Sequence, residues 1–207
     1  MTVIFATLIL AGLLGFLLGG RLVNLARLRI RWAPIAVVGL GLQLAPVPGR
    51  TWPLMFLYVS FALLAVFAIA NIRARVPGAS LILIGIWLNF TVIAVNQGMP
   101  VSREALVRSD QLETLELLVE GGGAKHHLAG RGDQLLFLGD VIAIGPPVRQ
   151  AVSVGDAFTY AGVAWLIVAG MRGRRREPKP VSNVPIDPVE PVVGIPHETR
   201  EAPTGVR

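Results

Sequence analysis

The sequence predicts an all-α membrane protein, a polytopic helical bundle of about five transmembrane helices with one short re-entrant or interfacial segment. Three observations lead there. With 53% hydrophobic residues, 15% charged residues and a mean hydropathy of +0.63, the chain is too apolar for an ordinary soluble domain. Long uncharged runs recur, the first of them residues 2–20, and at about 1.5 Å per helical residue such a run crosses roughly 30 Å of hydrocarbon. Arginines gather beside alternate runs rather than along one face, the pattern by which a bilayer protein fixes its direction.

Nineteen Lys and Arg against thirteen Asp and Glu give a net charge of +6. Placed as they are, these charges point to topology and anionic lipid headgroups, not to nucleic acid. The chain has no cysteine, which excludes disulfides, thiolate catalysis and cysteine-ligated metal centres.

Residues 2–20 form the first expected span. Residues 1–6 lack the basic residues of a secretory leader and positive charge follows the apolar run, so no cleavage is expected. Gly12, Gly15 and Gly19 line one side, and Gly15 and Gly19 have the small-xxx-small spacing of close helix packing, within the chain or across a homodimer. Arg21, Arg27, Arg29 and Arg31 follow in a short amphipathic stretch suited to the cytoplasmic headgroups. Pro34 opens a short second span ending near Leu44, before Pro46 and Pro48, because a first helical turn tolerates a missing N–H. A third span covers residues 54–70, with Ser60 able to bond its own backbone. Arg73, Arg75 and the turn Pro77-Gly78 precede the fourth, residues 79–97. Trp32, Trp52 and Trp87 are interfacial or packing aromatics.

In that fourth span Gly85, Asn89 and Asn96 share one helical face. An unpartnered amide in hydrocarbon costs a few kcal/mol, so this face should meet other helices, as glue between them or as part of a substrate or ion path.

Loop 98–152 carries five bases and seven acids, a balance of −2, and belongs outside. Residues 102–119 form a broken amphipathic helix stopped by Gly121-Gly122-Gly123, resting on the membrane or capping the bundle. Residues 135–144 are an apolar run too short to cross, hence re-entrant or interfacial. The fifth span, residues 153–171, opens with Ser153 and Asp156 in capping-box spacing, and Asp140 could cap a short helix in the same way. Residues 1–176 thus make the bundle with its external loop. Residues 177–207, rich in proline, read as a disordered cytoplasmic tail.

Asn96-Gln97-Gly98-Met99-Pro100, Phe137-Leu138-Gly139-Asp140-Val141-Ile142 and Val152-Ser153-Val154-Gly155-Asp156 together resemble an uncharacterised family of small bacterial polytopic membrane proteins, a domain of unknown function. The likeness covers roughly residues 1–172, and the family pattern has a second glycine where this chain has Gln97. It implies residence in the bacterial inner (cell) membrane, with no established activity to transfer.

The chemistry-capable groups are His126, His127, Asp133, Asp140 and Asp156. Adjacent histidines point to different sides of an extended chain and lack the i, i+4 spacing of a helical metal site, so His126 and His127 are poor candidate metal ligands. No cofactor or hydrolase motif is present. No cofactor is expected, and a non-catalytic role is favoured over an enzyme. Asn89, Asn96, Asp140 and Asp156 are the candidate polar site, with the two Gly-Asp steps folding Asp140 back toward the last span. The functional expectation is a binding, accessory or scaffolding membrane protein, N-terminus outside and C-terminus cytoplasmic, with a membrane-protein partner or a second copy as company. A small transporter or channel is the alternative, although Asn89, Asn96 and Gln43 are few polar groups for a path. A membrane enzyme with an outward-facing carboxylate or histidine site comes third.

Overall fold

The computed structural model of the chain describes residues 2–45, 51–121, 123 and 125–173. The expected turn at Pro46, Pro48 and Arg50, the middle glycine Gly122 and the tail 177–207 lie outside them.

Five apolar helices carry the fold: α1 (Thr2–Leu17), α3 (Ala33–Leu44), α4 (Thr51–Arg73), α5 (Ala79–Asn96) and α8 (Val154–Met171), with a one-turn α2 (Leu22–Leu25) after the first. Three of them, α4, α5 and α8, are long and apolar enough to cross a membrane. The other two are shorter: α1 has 16 residues and α3 has 12, about 24 and 18 Å of helix. α3 packs on α4, α4 on α5, α5 on α8 and α8 on α1. Large apolar side chains such as Phe16, Leu17, Val37, Trp87 and Trp165 stay exposed, as on helices that a bilayer would cover.

The helix boundaries follow local chemistry. α3 starts behind Trp32 with proline in its first turn. α5 starts behind Gly78, at φ 79, and ends on Gln97 at φ 55, whose N–H donates to the Ile93 carbonyl. That left-handed cap is a glycine-favouring conformation, so the departure Gln97 costs this chain local strain. Gly15 faces Met171 of α8, where a Cβ would collide with the sulfur, whereas Gly12 and Gly19 have no neighbour within 4 Å. Of the expected glycine stripe, Gly15 alone is in a helix contact.

At one end of the bundle the chain ends of α1, α2 and α8 are tied by Arg21 N–H and Asn24 Nδ2, both donating to the Met171 carbonyl. Beside them the buried Asn71 at the end of α4 exchanges bonds with the Arg31 backbone at 3.0 and 2.9 Å. Arg21, Arg31, Arg73, Arg75 and Arg172 collect at this end.

The opposite end carries a cap that corrects the all-α expectation. It contains α6 (Arg103–Arg108), α7 (Leu112–Val119) and a four-stranded sheet of β1 (Met99–Val101), β2 (His126–Leu128), β3 (Asp140–Ile144) and β4 (Gln150–Ser153) in the order β2-β1-β3-β4. β1 is parallel to β2 and β3, and β3 is antiparallel to β4. Strands of three to five residues are too short for a period of two to register in the sequence. The apolar run 135–144, expected to be re-entrant or interfacial, folds locally as a 3-10 turn, Leu136–Leu138, followed by β3. Asp140 therefore opens a strand and caps no helix. The broken amphipathic helix is two helices, hinged around Asp110 at φ 59, with Ser102 accepting from the Ala105 N–H at the start of α6.

Ser60 does not bond its own backbone. Its hydroxyl is buried with no hydrogen-bond partner among the described residues, on the side of α4 where Gly39 of α3 comes close to Ser60 and Leu64.

Candidate functional site

The site forms where β4 runs without a linker into α8 and β1 leaves α5 within three residues. Ser153 is the junction. Its Oγ accepts from the Asp156 N–H at 2.9 Å and the Asp156 carboxylate accepts from the Ser153 N–H at 3.1 Å, completing the capping box. The same hydroxyl donates to Asn89 Oδ1 at 2.8 Å, and Asn89 Nδ2 donates to Asp156 Oδ1 at 2.8 Å. Asn89 is thus satisfied by the cap and start of α8, and Asp156 is both a helix cap and an anchored carboxylate. Gly155 makes this possible: a Cβ there would overlap the Asn89 amide. Deeper in the bundle Gly85 abuts Thr159 and Gly155, and Gly78 abuts Gly162, so α5 and α8 run almost backbone to backbone.

Asp140 reaches the same place from the sheet. It pairs with Ser153 across the β3–β4 ladder and with Val101 of β1. The bulge between Asp140 and Ile142 turns the strand locally. Gly139 lets it approach β1, since a Cβ there would strike the Pro100 carbonyl. The residue is 9% exposed, and among the described residues no hydrogen bond reaches its carboxyl. His126 approaches it, with Nε2 3.9 Å from Oδ2, beyond hydrogen-bond length. Burial, then the Asp156 carboxylate, push the Asp140 pKa up to about 8, so it holds a proton at neutral pH.

Asp140, Asp156 and Asn89 line one inner cavity of about 250 Å³, together with Gln43, Lys125, His126, Tyr160 and the apolar Leu57, Phe61, Ile93 and Met99. A larger outer cavity of about 680 Å³ shares Lys125, His126, Asp140, Gln150 and Ala151 with it and extends between Thr2, α7 and Arg149. His126 keeps 53% of its side-chain surface open, and that surface faces these cavities. Surrounding protein nevertheless lowers its pKa, with Lys125 and His127 adding to burial against the opposing pull of Asp156. At neutral pH the imidazole is uncharged. Lys125 Nζ donates to the Gln43 carbonyl, one of the free carbonyls at the end of α3 where a cation is favoured. Arg149 is held by Asp110 at 3.2 Å.

Of the candidate residues, Asn89, Asp140 and Asp156 meet here and Asn96 does not. Asn96 instead clasps Gln134, accepting from its N–H at 2.8 Å and donating to its carbonyl at 2.9 Å, which pins loop 129–135 to the end of α5. The two histidines diverge as successive residues of β2. His127 Nε2 meets Asp133 Oδ1 at 2.9 Å, and although burial raises the Asp133 pKa, the Gly130 N–H and His127 outweigh it and leave it lowered. Among the described residues no three His, Asp or Glu gather as a metal would need. Lys125 and Gln150 escaped the sequence reading. Lys125 did carry a signal, being one of only two lysines beside seventeen arginines.

No curated protein and no solved structure matches the chain. A family model does, over residues 23–168, which takes in α3 to α7, the whole sheet and most of α8. The chain belongs to that family, described as a family of unknown function (DUF5317).

Proposed function

We propose that this protein is a multi-pass inner-membrane binding protein that receives a small polar ligand in the cavity beneath its cap. The observation that carries this reading is Asp140: a buried carboxyl with no hydrogen-bond partner among the described residues, facing the same cavity as Asp156. A group buried in that way is costly unless something comes to meet it. The cavity combines a few convergent polar groups with apolar walls, the make-up of small-molecule sites.

Binding is favoured over passage by the glycine contacts of Gly85 and Gly78, which bring α5 and α8 together below Asn89. In this reading α1 and α3 complete five crossings, the cap faces outward, and the arginine-rich end lies in the cytoplasm against anionic headgroups. The test is a thermal-shift screen of small polar compounds on the full chain in nanodiscs, run beside Ala151→Trp, which fills the junction of the two cavities. True ligands should stabilise the wild type and leave the variant unmoved. A screen in which every stabilising compound acts equally on both proteins overturns the reading.

A further inference from the structure

The ligand class can be taken further, resting on the binding reading above. We propose that the inner cavity takes an organic monocation, a primary ammonium on a short apolar body, and that one proton leaves Asp140 for each cation bound.

Charge sets the first half. The lining holds Asp140 and Asp156 as acids and Lys125 as a base, with His126 and Tyr160 beside them. With His126 uncharged and both acids ionised, the sum is two negative charges and one positive, or −1. One added positive charge neutralises it, and two would overshoot. Lys125 does not serve as that charge for Asp140: among the described residues no ion pair joins the two, and the ammonium points instead at the Gln43 carbonyl. Arg149, in the outer cavity, is committed to Asp110.

Geometry sets the rest. Asp156 is locked by Asn89 and Ser153, so it offers a fixed acceptor, whereas among the described residues no hydrogen bond uses the Asp140 carboxyl. An ammonium has three N–H donors and a carboxylate only accepts, so the pair suits one nitrogen between them. Leu57, Phe61, Ile93 and Met99 supply the wall for a hydrocarbon body. With no cation present, two acids on one cavity cannot both ionise cheaply, and the more buried one keeps its proton. When the cation enters, that proton passes to solvent and the carboxylate takes the N–H bonds. One positive charge enters as one leaves.

The experiment is calorimetric titration of the nanodisc-held full chain with n-butylammonium, 1-pentanol and pentanoate, empty discs serving as blank. Each is run from pH 6 to 8 in two buffers of unlike ionisation enthalpy. The expected result is n-butylammonium binding alone, about tenfold tighter per pH unit, with one proton released per ligand. Asp140→Asn should weaken binding and flatten the pH dependence, and Asp133→Asn, away from the cavity, should change neither. If Asp140→Asn fails to fold, the wild-type proton count still decides. Binding of pentanol or pentanoate instead overturns the ligand class while sparing the binding reading. Ammonium binding without proton release overturns the exchange, and binding of none of the three overturns the proposal.

Discussion

Replacing Asp140 by Asn should remove a pH dependence of stability that the wild type shows between about pH 5 and 8. In the folded chain burial and Asp156 hold the Asp140 pKa near 8, against 3.8 for the free side chain. The folded state therefore keeps a proton that the unfolded state gives up. The stability tied to that proton is complete below about pH 4 and is lost as pH rises through about 8. Four units at about 1.36 kcal/mol each amount to on the order of 5 kcal/mol, an upper value because the cavity opens to solvent. Denaturant unfolding of both proteins in micelles, followed by tryptophan fluorescence between pH 5 and 9, reads the difference directly. The wild type should lose about 1 kcal/mol per pH unit relative to Asp140→Asn up to pH 8, then run parallel. Curves parallel throughout, or a wild type that gains with pH, would show that Asp140 is ionised in the fold and would refute the argument.

Gly155→Ala should destabilise the chain by roughly 2 to 4 kcal/mol, because the added Cβ lands on the Asn89 amide in a packed junction; Gly41→Ala, with open space around it, is the thermal-unfolding control. Ser60→Ala removes a buried hydroxyl that bonds nothing among the described residues, and should be neutral or raise stability by about 1 kcal/mol. Gln97→Gly relieves the left-handed cap of α5 and should gain about 0.5 to 1 kcal/mol in the same assay. A reporter fused after Met171 should be active in the cytoplasm and one inserted at Gly121 outside; both on one side would defeat the proposed orientation.

What the sequence revealed and what it hid divide along physical lines. The helices were visible because each is apolar over ten or more residues, and Ser153 with Asp156 was visible as a cap because its chemistry is local. The sheet was not, because β1, β2 and β3 are brief and pair in parallel across long connections, which leave no mark on neighbouring residues. The pairing of Asn89 with Asp156 spans 67 residues, so the sequence could say only that Asn89 needed a partner. Asn96 carried the same signal on the same face and found a different one, the backbone of Gln134. Periodicity places a polar group on a face without choosing its mate.

The junction at Ser153 also bears on how the chain is made. Both partners of Asn89 come from residues 153 and 156, and the strand that completes the sheet beside Asp140 is the one that runs into the last helix. Synthesis proceeds from the N-terminus, so every intermediate that lacks α8 carries an unsatisfied amide in its fourth long apolar segment and an unclosed strand edge in its cap. The amide of Asn89 and the open edge of the sheet are thus satisfied in one step, when the last helix and the strand that leads into it arrive together.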